Sequence, residues 1–473
     1  MLFSSLIFIF LFLPLVLLAY FISPKFIKNY VLLFFSLIFY AWGEPKFVIA
    51  MLLSIILNYF FALLIARNNK NRNLKKSFLI LSVIFNLGLM FIFKYLNFTI
   101  SNINTLFGME IFAQTHILLP IGISFFTFQA MSYVIDVYRG NVKVQKNLFY
   151  VAMYISLFPQ LIAGPIVRYS TIEKQITTRT VTLEDFSEGV RRFVVGLSKK
   201  VLLANTLAIV ADNVFSMDPG SLSLLLAWTG AIAYTFQIFF DFSGYSDMAI
   251  GLGLMFGFHF LENFNFPYTA RSITDFWRRW HISLSSWFRD YVYFPLGGSR
   301  VNSRGRLVFN LFIVWFLTGV WHGASWNFIV WGLFYFVLLT IEKLTGIPDR
   351  LNSVIATLAY RSVTLVSVVI AWVIFRAPDL GYSVQYIKSM LLLNSGQLTD
   401  ELSIFYLSEN WFFFVAALLF STKLPQEFSG NCAAKVSAAT LSIIFIVSYT
   451  LMFLISTSYL VLGTHNPFIY FNF

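Results

Sequence analysis

The chain has 473 residues, of which 58% are hydrophobic and 11% are charged, and its mean hydropathy is +0.76. An ordinary soluble domain has about 25% charged residues, so this composition excludes a soluble globular protein and indicates a polytopic membrane protein. The formal net charge of +12 does not predict a nucleic-acid partner, because the basic residues of membrane proteins collect in their cytoplasmic loops.

Apolar runs long enough to cross a hydrocarbon core of about 30 Å recur from one end of the chain to the other. We therefore predict an all-α polytopic membrane protein with about ten to twelve transmembrane helices, plus interfacial and re-entrant helices around a central pocket. No soluble stretch separates the runs, which predicts a single domain over residues 1–473 with an extracytoplasmic aromatic tail over 463–473. The lone cysteine, Cys432, excludes an intramolecular disulfide and a cysteine-based metal site.

The first apolar run, Leu2 to Ile22, lacks the basic start and small-residue cleavage site of a signal peptide, so we predict a retained transmembrane helix. Basic residues are concentrated in the loops after the first, third and fifth runs: Lys25, Lys28, Arg67, Lys70, Arg72, Lys75, Lys76, Arg139, Lys143 and Lys146. By the positive-inside rule these loops are cytoplasmic and both chain termini lie outside, which requires an even number of crossings. The segment from Arg168 to Lys200 is too polar to cross and is predicted as cytoplasmic, with surface helices.

The stretch RSITDFWRRWHISLSSWFRDYVYFPLGGSR, from Arg271 to Arg300, has apolar residues at helical spacing. We predict an amphipathic helix that lies along an interface or folds into the protein, and that ends at Pro295 and Gly297–Gly298. His281 falls at the edge of its apolar face.

His322 is the only histidine, acidic or basic residue between Leu307 and Ile341. An ionisable residue at membrane depth is costly and usually functional. The run from Arg306 to Lys343 is nearly twice as long as one crossing needs, at 1.5 Å per helical residue. We therefore predict a break at Thr318–Gly319 or Gly323–Ala324–Ser325, with His322 at the floor of a pocket, since irregular backbone is tolerated only where it lines a cavity or is buried.

Five blocks, in this order, resemble the membrane-bound O-acyltransferase family in its bacterial polysaccharide branch. They are LPIGISFFTFQAMSYVIDVYRG (119–140), FPQLIAGPIVRY (158–169), YTFQIFFDFSGYSDMAIGLGLMFGF (234–258), the amphipathic stretch and TGVWHGASWNF (318–328). The resemblance implies acyl transfer from a cytoplasmic thioester to a hydroxyl on the far side of the membrane. It also implies that the histidine matching His322 is catalytic and that His281 matches the family's usual second histidine.

The chemistry of the residues agrees with that assignment, because attack of a hydroxyl on a thioester needs a base near neutral pH and neutral imidazole provides one. The alternative for His322 is a buried histidine hydrogen-bonded to a neighbour, and for His281 an interfacial histidine packed beside Trp277 and Leu284. We predict substrate contacts for Trp321, Asp241, Arg278 and Arg279. Asp241 could equally satisfy another polar group between helices, and the arginines, which could hold the phosphates of coenzyme A, could equally be cytoplasmic anchors.

The chain ends in FIYFNF, with Tyr470 inside an aromatic cluster. One interpretation is an interfacial aromatic anchor. The other follows from a resemblance to the tyrosine-bearing C-terminus of the small partner subunit in D-alanylation systems, a tail that is fused to the membrane enzyme in acetyltransferases of this branch. In that interpretation Tyr470 accepts the acyl group and presents it outside.

The sequence thus predicts an enzyme of the bacterial inner membrane that takes part in O-acetylation of an extracytoplasmic polysaccharide such as alginate or peptidoglycan. Its acyl donor is acetyl-CoA or another acyl thioester, with no bound cofactor and no metal. The predicted partners are membrane lipid, the polysaccharide acceptor and a separate extracytoplasmic O-acetyltransferase, with no nucleic acid. Two alternatives remain: D-alanyl transfer to teichoic acid, and a transporter or flippase, although the inverted repeats typical of transporters are not visible.

Overall fold

The computed structural model describes residues 1–162, 164–394, 396–433, 437–463 and 466–467. Over these residues the regular structure is helical and includes no β-strand. The all-α prediction is therefore confirmed.

Within the described ranges, nine helices are long and apolar enough to cross a membrane: Val48–Arg67, Arg72–Phe107, Leu183–Phe215, Leu224–Met255, Arg304–His322, Trp326–Thr345, Val354–Arg376, Glu401–Phe420 and Ala439–Val461. The first apolar helix, Phe8–Ile22, consists of a π-helical segment of 5 residues and an α-helix of 10 residues. It is shorter than the ~20 residues that span a bilayer core. The count is close to the ten to twelve crossings that the sequence predicts.

The chain forms two compact units. The first comprises Met1–Phe193 and Tyr245–Leu261. Its remaining helices are Lys28–Gly43, Ile123–Arg139, Leu148–Ser156, Phe158–Leu161 and Tyr169–Thr178. Polar side chains in its interior satisfy one another: the amides of Asn58 and Asn86 exchange hydrogen bonds of 3.0 and 2.7 Å between two of the long helices, as expected for polar residues between membrane helices.

The second unit comprises Val194–Gly244 and the described part of Glu262–Phe473. Its shorter elements are the α-helices Ile273–Trp277, Ile282–Phe288, Ile347–Arg350, Leu380–Met390 and Leu424–Ala433, the 3₁₀ turns Pro219–Ser221 and Pro267–Thr269, and the π-helical segments Lys199–Ala204 and Arg289–Tyr293. This unit contains both His281 and His322.

The segment from Arg168 to Lys200 differs from its prediction. Tyr169–Thr178 is a short helix, as expected, but Leu183 begins a helix of 33 residues that continues to Phe215 and is apolar enough to cross a membrane. Lys200 lies in the interior of that helix, where its side chain is buried against Asp241 at 2.7 Å. The prediction was wrong for the end of this segment, where Lys200 is part of a long apolar helix, because a buried carboxylate, distant in sequence, compensates the lysine charge.

The predicted break in the run from Arg306 to Lys343 is confirmed. One helix ends at His322, Gly323 is extended with φ −172° and ψ 162°, and the next helix begins at Trp326, where the side chain of Ser325 accepts a hydrogen bond from the Asn327 N–H. The two helices form an antiparallel hairpin. Glycines allow their close approach, because a Cβ atom on Gly319 would overlap the carbonyl oxygen of Phe328, and one on Gly332 would overlap that of Trp315.

Candidate active site

His322 is the last residue of the Arg304–His322 helix, so the hairpin turn holds its imidazole at the end of a tightly packed helix pair. The side chain is buried among aromatic rings. Trp331, Trp321 and Phe375 contact the imidazole edge to face, at centroid distances of 4.8, 5.0 and 5.3 Å. These three rings come from both helices of the hairpin and from the Val354–Arg376 helix, and together they fix the orientation of the imidazole.

More aromatic side chains pack behind Trp331. Trp277 and Tyr335 contact its indole at 5.6 and 5.2 Å, and the two rings lie 4.9 Å from each other. Across the residues that the structure describes, the indole N–H groups of Trp277 and Trp331 and the hydroxyl of Tyr335 are buried with no hydrogen-bond partner. Buried donors are rarely left unsatisfied in proteins. These three donors lie in the aromatic cluster beside His322.

His281 does not lie on a continuous amphipathic helix, and that prediction was wrong. The chain forms a helix over Ile273–Trp277, turns, and forms a second helix over Ile282–Phe288. His281 stands at the junction with φ 45° and ψ 53°. This left-handed conformation is uncommon for a residue other than glycine, and it directs the imidazole into the protein, where the residue is 1% exposed.

Asn263 determines the tautomer of His281. Its side-chain oxygen accepts hydrogen bonds from the backbone N–H of Ser283 at 3.1 Å and from the Ser283 hydroxyl at 2.9 Å, and it lies 3.2 Å from Nδ1 of His281. Because an amide oxygen can only accept, Nδ1 of His281 carries the proton and Nε2 carries the lone pair. Burial lowers the pKa of His281 to about 3, since the interior disfavours the charged imidazolium. His281 is therefore neutral at physiological pH.

The two histidines share one neighbour. The indole of Trp321 lies 5.0 Å from the His322 ring and 6.1 Å from the His281 ring. On another side, Phe242 packs edge to face on His281 at 4.6 Å. The structure thus brings His281, Trp321 and His322 together, which are three of the residues that the sequence singles out.

The other predicted residues are arranged differently. Asp241 is ion-paired with Lys200 at 2.7 Å, which agrees with the interpretation that it satisfies another polar group. Arg279 is paired with Asp275 at 2.8 Å, and Arg278 is exposed in the turn before His281. Tyr470 lies outside the described residues.

Sequence reasoning missed Glu342, which supports the His281 segment from the end of the second hairpin helix. Its carboxylate accepts hydrogen bonds from the backbone N–H groups of Ile273 and Thr274 at 2.7 and 2.8 Å, and from the Tyr360 hydroxyl at 2.9 Å. A carboxylate at a helix N-terminus is favoured by the helix dipole. The available signal was an acidic residue at the end of an apolar run.

No cluster of three or more histidine, cysteine or acidic side chains suited to a metal ion occurs in the parts of the chain that the structure covers. The site consists of the imidazoles of His281 and His322 and the indoles that surround them. Such groups can accept a proton and donate hydrogen bonds, which are the functions that acyl transfer between a thioester and a hydroxyl requires.

Comparison with known proteins identifies the family. Residues 34–380 match the model of the membrane-bound O-acyltransferase family. The chain is 45% identical to the probable alginate O-acetylase AlgI of Pseudomonas aeruginosa, over 85% of this chain and 76% of that protein. It is 38% identical to the peptidoglycan O-acetyltransferase of Helicobacter pylori, over 84% of this chain and 81% of that protein.

A third relative is more distant. The teichoic acid D-alanyltransferase of Bacillus subtilis is 32% identical over 46% of this chain and 58% of its own length. The match to the family model includes both helices of the hairpin, His281 and His322. The chain is therefore a multi-pass membrane enzyme that belongs to the membrane-bound O-acyltransferase family.

Proposed function

We propose that the protein transfers an acetyl group from a cytoplasmic thioester, acetyl-CoA or another acyl thioester, across the bacterial inner membrane for O-acetylation of an extracytoplasmic polysaccharide such as alginate or peptidoglycan. Acetyl transfer is favoured over D-alanyl transfer by the share of the chain that each relative matches. Relatives named as alginate and peptidoglycan acetylating enzymes match over 85% and 84% of the chain, whereas the D-alanyltransferase matches over 46%. Teichoic acid D-alanylation is the second candidate.

In the proposed reaction, His322 acts as the general base. A hydroxyl oxygen attacks the carbonyl carbon of the thioester while its proton passes to the imidazole of His322. The carbon–sulfur bond then breaks, and the sulfur leaves as a thiolate that is protonated to the free thiol. An imidazole is suited to this task because its ordinary pKa lies near neutral pH.

The surroundings of His322 support this role. Among the described residues, neither the N–H of Trp331, whose ring contacts His322 at 4.8 Å, nor the hydroxyl of Tyr335 has a hydrogen-bond partner. We propose that these two groups donate to the thioester carbonyl, where negative charge develops. His281, neutral and with its lone pair on Nε2, is a second acceptor beside Trp321. Arg278 and Arg279 precede His281 in the chain, and we propose that they bind the phosphates of the donor.

The acyl group then needs a route to the outer side. We propose that the first hydroxyl is the phenol of Tyr470, which becomes an acetyl ester. In the second step a polysaccharide hydroxyl attacks that ester, its proton returns to the phenolate, and the phenol is restored. A separate extracytoplasmic O-acetyltransferase completes this second step.

The test of the base compares two histidine substitutions. His322→Ala removes the imidazole of the proposed base, whereas His259→Ala removes an exposed imidazole whose side chain is 58% exposed. Membranes containing each variant at equal levels are supplied with labelled acetyl-CoA, and ester-linked acetyl groups on the polysaccharide are measured. We expect loss of acetylation in His322→Ala and normal acetylation in His259→Ala.

Two outcomes contradict the proposal. Normal acetylation in His322→Ala, at a membrane level equal to that of the native chain, removes His322 from the mechanism. Release of D-alanine rather than acetate on mild alkaline hydrolysis of the modified polymer identifies the second candidate as the correct function.

A further inference from the structure

Lys200 and Asp241 form a deeply buried ion pair in the second unit. Their charged atoms lie 2.7 Å apart, and their side chains are 1% and 2% exposed. The pair joins two long apolar helices, Leu183–Phe215 and Leu224–Met255. Desolvation makes a buried pair costly, and ionisable residues inside membrane proteins usually mark functional sites.

The ammonium group of Lys200 has further acceptors. Its Nζ donates to the side-chain oxygen of Asn205 at 2.8 Å and to the backbone carbonyl oxygen of Pro467. The Lys200 ammonium is therefore held by the charge of Asp241 and by these two hydrogen-bond acceptors. One of the two acceptors belongs to the C-terminal segment.

A second contact joins the same segment to the same cluster. The side-chain N–H of Asn205 donates to the side-chain oxygen of Asn466 at 3.2 Å. Upstream, the hydroxyls of Ser198 and Ser456 lie 3.1 Å apart, which brings the end of the Ala438–Val461 helix to the same region of the chain. Two consecutive residues after that helix thus contact one buried polar cluster.

The cluster is connected to His281 through the next residue of the chain. Asp241 directly precedes Phe242, whose ring packs on His281 at 4.6 Å. Three peptide units separate Pro467 from Tyr470, and a fully extended chain advances at most about 3.6 Å per residue. Covalent geometry alone therefore keeps the Cα atom of Tyr470 within about 11 Å of that of Pro467.

We propose that Lys200, Asp241 and Asn205 form a docking site for the C-terminal segment Asn466–Pro467 of the same chain, and that docking holds Tyr470 near the two histidines. The second clause rests on the proposed relay through Tyr470. Lys200 and Asn205 are positioning residues, because they contact the segment and not the acyl group. A buried cation that donates a hydrogen bond to a backbone carbonyl fixes the segment at one place in the fold.

The test measures docking directly. Pro467→Cys in a Cys432→Ala chain places the only thiol on the docked segment while it keeps Asn466 and the backbone carbonyl at position 467, and its rate of reaction with a membrane-permeant maleimide reports the undocked fraction. Lys200→Gln removes the cation, and we expect labelling about tenfold faster, the factor expected when a hydrogen bond to a charged group is lost. Asn205→Ala leaves the ion pair intact and should raise the rate about threefold, so it keeps the test valid if Lys200→Gln does not fold.

Arg192→Gln is the matched control. Arg192 pairs with Asp247 at 2.8 Å and joins the same two helices, so its loss should leave the labelling rate unchanged. Acetylation is measured in parallel in chains that keep Pro467. Equal labelling rates in the native, Lys200→Gln and Asn205→Ala backgrounds overturn the docking site. Faster labelling with full acetylation upholds the docking site and instead overturns the relay of the proposed function.

Discussion

The side-chain oxygen of Asn263 lies 3.2 Å from Nδ1 of His281, and the same oxygen is held by the backbone N–H of Ser283 at 3.1 Å. Because the Ser283 N–H can donate only to an acceptor, this hydrogen bond shows that the oxygen of the Asn263 amide, and not its nitrogen, faces the imidazole. His281 is therefore presented as a neutral ring with its lone pair on Nε2, in a left-handed backbone conformation that the asparagine helps to hold.

This relationship predicts a pH dependence of stability. Burial lowers the pKa of His281 from 6.5 to about 3. Between these values the unfolded chain binds a proton that the native chain does not, so stability is complete above pH 6.5 and falls as the pH falls toward 3. From pH 7.5 to pH 5 the loss from this one group is about 2 kcal/mol.

Thermal unfolding of the detergent-solubilised protein at several pH values measures this effect. His281→Gln should flatten the decline between pH 7.5 and pH 5, whereas His259→Gln, at an exposed position, should retain it. If the native chain and His281→Gln lose stability equally over this range, His281 titrates like an ordinary histidine and the assigned tautomer is not maintained.

A second prediction concerns the helical hairpin that ends in His322. A Cβ atom on Gly332 would overlap the backbone carbonyl oxygen of Trp315, which cannot move without displacing its helix. Gly332→Ala should therefore cost about 1–3 kcal/mol of stability and reduce acyl transfer, because Trp331 and His322 shift together. Gly305→Ala adds a Cβ atom with nothing within 4 Å and should leave both quantities unchanged. Comparison of melting temperatures and transfer rates measures the effect, and equal values for the two variants would contradict the close packing.

Some of this architecture follows from the sequence. The run from Arg306 to Lys343 is too long for one crossing, and Gly323 and Ser325 are the residues that allow a break, so the hairpin could be predicted from length and local chemistry. His322 could be singled out from the sequence because it is the one histidine, acidic or basic residue of its apolar run, whereas His281 as a second catalytic histidine depended on resemblance to the family. Spacing alone does not show that one indole contacts both imidazoles.

Other features depend on partners that are distant in the chain. The apolar spacing on either side of His281 continues in register through the turn, so periodicity predicts one helix where the structure has two. The turn is held by Asn263 and Glu342, which lie 18 and 69 residues away from their partners His281 and Ile273. Lys200 was assigned to a cytoplasmic segment with surface helices for the same reason, because its compensating carboxylate, Asp241, belongs to another helix.

A third prediction concerns topology. The charge bias places the loop from Arg67 to Lys76 in the cytoplasm and Phe473 outside. Alkaline phosphatase, which is active only outside the cytoplasm, should be active when fused after Phe473 and inactive when inserted after Asn71. A cytoplasmic reporter that functions after Phe473 would contradict both the even number of crossings and the transfer of an acyl group to the outer side through the tail.

The last prediction separates the relay from the anchor at Tyr470. Tyr470→Phe keeps the aromatic ring but removes the hydroxyl, which is the only nucleophile in the terminal FIYFNF sequence. An interfacial anchor should tolerate the change, because a phenylalanine still packs at the interface and only one hydrogen bond, worth about 0.5–1.5 kcal/mol, is lost. A relay cannot tolerate it, because the acyl group has no oxygen to which it can bond.

We therefore expect Tyr470→Phe to lose polysaccharide acetylation to the same extent as His322→Ala, at an unchanged level in the membrane. Tyr449→Phe, which removes a hydroxyl from the preceding helix, is the matched control and should retain acetylation. In cells that lack the downstream transferase, the C-terminal peptide of the native chain should gain the mass of one acetyl group, and the peptide of Tyr470→Phe should not. If Tyr470→Phe acetylates the polysaccharide normally, the tail is an anchor, and the acyl group must pass directly from the His322 site to an acceptor that enters from outside.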